Sequence, residues 1–210
     1  MNTDLASDEP PSEFVGDLAR LPTHAFGPRS LTWWGQAGIV AIEGIAFVLA
    51  GGSYLFLMAQ EPHWPVAERP PGIFWSTLLL VILLASEWPN VRLKRAAEHG
   101  DVPAVRRGLV VMSAIGLLLI AVRAFELRAL EVRWDANAYG SIVWAILLLH
   151  TTHLVTDCFD TVVLAALMHT PHGEKPRRSV DVSENALYWH FVVITWVPLY
   201  ALVYLVPRLR

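Results

Sequence analysis

An all-α bundle of five membrane-spanning helices is the fold class this sequence predicts. Three observations carry that expectation. The 210 residues contain five long apolar stretches, at roughly 36–59, 73–88, 108–127, 139–167 and 187–206. Each approaches the ~20 residues an α-helix needs to cross ~30 Å of hydrocarbon. Hydrophobic residues make up 54% of the chain and charged residues only 17%, with a mean hydropathy of +0.43. That is the composition of an integral membrane protein. Clusters of proline, glycine and charge separate the stretches, as connections between helices require.

The first stretch is crowded with Gly35, Gly38, Gly44, Gly51 and Gly52, small residues that allow close helix approach in lipid. Glu61, Pro62, His63, Trp64 and Pro65 end it. Pro70, Pro71 and Gly72 lead into the second, which is the shortest. It reaches full length only with Trp88 and Pro89 at an interface, where tryptophan is favoured. Residues 91–107 read as a short amphipathic surface helix broken by Pro103. The third and fourth stretches follow, and Pro171, Gly173 and Pro176 mark the next connection as irregular. Pro198 is expected to bend the fifth helix.

Charge sets the expected orientation. Arg20, Arg29, Arg92, Lys94, Arg95, Arg106, Arg107, Lys175, Arg177 and Arg178 fall on one side. Arg69, Arg128, Arg133, Arg208 and Arg210 fall on the other. The positive-inside rule then places the amino terminus in the cytoplasm and the carboxyl terminus outside. Residues 1–31 read as a cytoplasmic tail and 32–210 as the membrane domain. The first 30 residues lack the basic start and apolar core of a secretory leader. A formal net charge of -3 gives no basic excess for nucleic acid, and the single cysteine, Cys158, excludes an internal disulfide or a cysteine metal cluster.

Polar groups inside apolar spans are costly, so each marks a contact or a function. Glu43 reads either as a hydrogen-bonded acid locking two helices or as a proton or lipid-headgroup contact. Arg123 and Glu126, three residues apart, are expected to form an interfacial salt bridge with the arginine snorkelling outward. His150, His153 and Asp157 share one helix face, with Thr151, Thr152, Thr156 and Asp160 nearby. They suit a polar network to a neighbouring helix, and residue type also allows a metal. Tyr188 and Trp189 suit an interface, with His190 entering the bundle below them. Haem ligation by His150, His153 or His190 stays open on residue type alone.

These residues carry a family resemblance. Tyr188-Trp189-His190-Phe191-Val192, followed by Trp196, resembles the closing helix of cytochrome c oxidase subunit III. Tyr139-Gly140-Ser141, then His150-Thr151-Thr152-His153, resembles that family's penultimate helix. Gly108-Leu109, Gly116 and Phe125-Glu126 resemble the helix before it, and Glu43 matches the buried glutamate on the first helix of the five-helix bundle. The resemblance spans essentially residues 32–206, and it implies the short five-helix bacterial form. Two positions depart from the pattern. Val193 stands where the family usually has an aspartate, and Asp157 where it has a glycine.

The resemblance implies a non-catalytic accessory subunit of a proton-pumping haem–copper oxidase, in a bacterial or archaeal plasma membrane. It implies that this chain binds no haem or metal, that haem and copper sit in partner subunits, and that structural phospholipids are held. The implied partners are the catalytic subunit I and further oxidase subunits beside it. The equivalent subunit of a quinol oxidase or nitric oxide reductase fits the same residues. An independent small transporter and a membrane cytochrome are the rival classes.

Overall fold

The computed structural model describes residues 21–65 and 70–209; Arg20, Arg69, Arg210 and most of the expected tail lie outside the described residues. Five long helices account for most of it: α1 (Leu31–Gln60), α2 (Phe74–Glu98), α3 (Val102–Arg128), α4 (Ala138–Met168) and α5 (Pro176–Tyr200). A π-helical turn at Ala201–Leu205 and a 3-10 turn at Val206–Arg208 extend α5, so that its span runs to Arg208. All five are long and apolar enough to cross a membrane, which makes this a multi-pass membrane protein.

Local chemistry sets the helix starts. The Ser30 hydroxyl accepts from the Trp33 amide at 3.1 Å to cap α1. Asp101 accepts from Ala104 N at 3.0 Å to cap α3, and Asn137 accepts from Gly140 N at 2.8 Å to cap α4. Pro103 and Pro176 lie in the first turns of α3 and α5, where a missing N–H is harmless.

The second span corrects the sequence expectation. Pro89 does not end α2, which continues to Glu98, and there is no separate surface helix over residues 91–107. Tertiary packing overrides the proline. Beyond it, Asn90, Leu93 and Ala97 are buried, and Asn90 Nδ2 donates to Ala186 O at 2.9 Å. The turn to α3 is then only a few residues, closed by Gly100 at φ 71°.

The helices form an irregular ring. α1 packs against α4 and α5, α2 against α3 and α5, and α3 against α4, while α4 and α5 also meet each other. The two last helices are therefore the hub, and they carry most of the buried polar side chains. α1 is the least enclosed. Ile42, Val48, Leu49 and Phe56 on it are all exposed, a face that suits lipid or a partner helix. At the α3–α4 end, Arg133 donates to both oxygens of Asp135 at 3.1 and 2.9 Å, and those bonds hold the Asp135 carboxyl below its usual range.

Candidate functional site: buried polar networks on the two central helices

The first network surrounds Arg123. This side chain is 1% exposed, deep between α3, α4 and α5. Its Nη1 donates to Glu126 Oε2 at 2.8 Å and its Nη2 to His150 Nδ1 at 2.9 Å. The His150 Nε2–H then donates to Val192 O at 3.0 Å. That pairing fixes the imidazole as the Nε2–H tautomer with both nitrogens engaged. The Tyr204 hydroxyl donates to the other Glu126 oxygen. The Trp196 ring lies over the guanidinium, 4.1 Å from its carbon, and so covers the charge with a π-face.

This overturns the expected snorkelling pair. Arg123 and Glu126 do not reach an interface, because His150 and Tyr204 on neighbouring helices hold them inside. A buried ion pair survives only with such additional hydrogen bonds. Two donors in it, Arg123 Nε and Trp196 Nε1, have no hydrogen-bond partner among the described residues.

The second network joins α1, α4 and α5 at mid-depth. Tyr188 donates to Glu43 Oε2 at 2.7 Å, and His153 Nε2 lies 3.7 Å from the same oxygen. His153 Nδ1 is 2.7 Å from Leu149 O on its own helix. Asn185 Nδ2 is shared between Asp157 Oδ1 at 3.2 Å and Asp160 Oδ2 at 3.3 Å, while its oxygen accepts from Thr161 at 3.1 Å. The threonines of α4 do less. Thr151, Thr152 and Thr156 bond carbonyls one turn back in their own helix.

The closing-helix aromatics also differ from expectation. Trp189 is 2% exposed, and its indole donates to Ser86 Oγ at 2.9 Å. It is a bundle residue, not an interfacial one, because Ser86 on α2 offers the acceptor that water would otherwise provide. Tyr188 is half-buried and turned to Glu43. His190, expected inside, is half-exposed and meets Glu87 at 2.7 Å on the α2–α5 surface. Trp88 is exposed, with the Arg92 guanidinium 3.6 Å from its ring centre.

Glu87, Glu184, Asn185 and Tyr204 escaped the sequence reading. Glu184 and Asn185 sit four and three residues before Tyr188, and that spacing could have flagged them. Among the described residues, no three His, Cys, Asp or Glu side chains converge as a metal-ligand set. The arrangement can pin helices together and hold protons or small polar groups.

Residues 74–207, more than half of the chain, match the family described as cytochrome c oxidase subunit III. A Synechocystis cytochrome c oxidase subunit 3 is 26% identical, over 98% of this chain and 85% of that protein. A probable cytochrome c oxidase subunit 3 from Mycobacterium tuberculosis is 28% identical, over 81% of this chain and 80% of its own length. The subunit from Thermostichus vulcanus is 21% identical over 79% and 83%.

Proposed function

The chain belongs to the cytochrome c oxidase subunit III family, and from that membership we propose how it serves a haem–copper oxidase. It is a non-catalytic accessory subunit of such a complex. In the proposal, it stabilises the catalytic subunit, keeps structural lipids at their shared boundary and supports proton uptake. The observation that carries the reading is the family match, which runs through α2 to α5. The side chains support it. Both nitrogens of His150 are spent on Arg123 and Val192, and His190 Nδ1 on Glu87, so the histidines serve helix contacts.

Haem and copper then belong to the partner subunits, and the electron path does not cross this chain. The exposed face of α1 and the α2–α5 surface with His190 and Glu87 offer contact area for the catalytic subunit and lipid. The uneven basic residues support a cytoplasmic side for the start of α1, the α2–α3 turn and the α4–α5 turn, with the helices in a prokaryotic plasma membrane. Residues 1–31 form the cytoplasmic tail and 32–210 the membrane domain.

Affinity purification of the tagged chain from its native membranes in mild detergent tests the assignment. A catalytic haem–copper subunit in stoichiometric amount is expected. Its absence under conditions that keep the membrane complexes intact would count against the proposal.

A further inference from the structure

A cleft of about 260 Å³ lies between α1, α4 and α5, lined by Gln36 and Glu43, by Asp157 and Asp160, and by Glu184 and Tyr188. Four of these are carboxylates, and among the described residues no lysine or arginine lines the cleft. Basic groups approach its edges: His153 Nε2 lies 3.7 Å from Glu43 Oε2, and the Lys94 charge is felt at Glu184. Lys94 bonds Glu98 and Ser183, and Arg178 bonds Asp181 at 2.9 Å. Two of the carboxylates are also incompletely paired. Asp157 is 2% exposed and Glu184 6% exposed, and Asp157 Oδ2 and Glu184 Oε2 have no hydrogen-bond partner among the described residues. Buried acceptors of this kind are costly unless a donor meets them.

The position of the cleft narrows the donor. Asp160 and Glu184 each lie about 12 Å along the axis from the joined ends of α4 and α5, at 1.5 Å per residue. α4 is about 46 Å long, so it overhangs a ~30 Å hydrocarbon layer by about 8 Å at each end. Asp160 and Glu184 therefore fall near the boundary between headgroups and acyl chains, while Asp157 and Glu43 lie about one turn deeper. Thr156 and Asp160 are exposed at the rim, which opens the cleft sideways.

We propose that this cleft binds a primary ammonium group, as carried by an aminophospholipid headgroup or a free amine. An ammonium brings a positive charge and three N–H donors to a wall of acceptors. A quaternary choline group has the same charge and no N–H to donate, so the cleft selects against it. The site deepens the lipid-holding part of the proposed function. Its test is a binding measurement on the full chain alone, so its failure leaves the oxidase assignment to the co-purification experiment.

The experiment is native mass spectrometry of the purified full chain, titrated with equal amounts of palmitoyl-oleoyl phosphatidylethanolamine and phosphatidylcholine. The expected result is a preference for the ethanolamine lipid of roughly tenfold, the scale of one charge-assisted hydrogen bond. Asp157→Asn and Asp160→Asn are expected to bring that preference close to unity, and Glu87→Gln, outside the cleft, to keep it. Asp160→Asn, at the exposed rim, carries the test if Asp157→Asn does not fold. Free ethanolamine separates the two sources. Displacement of the lipid by millimolar ethanolamine assigns the site to free amines, and resistance to it assigns the site to the lipid. Equal retention of both lipids by the unaltered chain overturns the proposal. So does a preference that survives in every folded carboxylate variant.

Discussion

The Tyr188 hydroxyl donates to Glu43 Oε2 across 2.7 Å, and this bond ties the first helix to the fifth. α1 is the least enclosed helix of the bundle, so a polar tie at mid-depth has few neighbours to share its task. Phe47 supports it, with its ring 4.8 Å from His153 and 5.9 Å from Phe191.

Glu43→Gln is expected to keep the tie, because an amide oxygen still accepts from the phenol. Glu43→Ala and Tyr188→Phe each remove it. Interhelical hydrogen bonds in membranes average about 0.6 kcal/mol and reach about 1.7 kcal/mol. A double-mutant cycle in detergent unfolding is therefore expected to give a coupling of about 1 kcal/mol. Strictly additive losses would show that the two side chains do not act together.

Arg123 is expected to be the costliest single loss. Removing one partner of a buried ion pair leaves the other charged and unmatched, at about 3–5 kcal/mol. Arg123→Met should therefore lower the unfolding midpoint strongly. Adding Glu126→Gln should recover part of the loss, since no bare carboxylate remains. A double variant less stable than Arg123→Met would refute the pairing as the source of the effect.

Gly116 on α3 packs against Cys158 on α4. A Cβ added at Gly116 would sit 2.7 Å from the Cys158 sulfur and 3.2 Å from its Cβ. Gly116→Ala is thus expected to push α3 and α4 apart and to destabilise by about 1–3 kcal/mol. Cys158→Ala removes the sulfur and should rescue much of that loss. Gly52→Ala, with nothing within 4 Å, serves as the control and should be close to neutral. A Gly116→Ala chain that melts with the unaltered one would contradict the close contact.

The number and order of the helices were legible because spans announce themselves by length and apolarity. What misled was depth and facing. Pro89 looked like a terminator, and only the burial of Asn90, Leu93 and Ala97 across the bundle explains why α2 runs past it. Arg123 and Glu126 looked interfacial by their place near a span end. Their burial depends on His150 and Tyr204, 27 and 78 residues away from their respective partners. Trp189 read as a membrane-surface residue until Ser86, on another helix, supplied its acceptor. The shared face of His150, His153 and Asp157 could be read from helical period. The division of those three between two separate networks could not.

Oxygen uptake followed through time, by the native oxidase with and without this chain, tests the accessory role most directly. The account predicts an unchanged haem spectrum and an unchanged initial rate on removal. Activity should then decline progressively during turnover, and adding the chain back should slow the decline. Loss of a haem band, or an immediate stop of electron transfer, would contradict it and place part of the redox machinery in this chain.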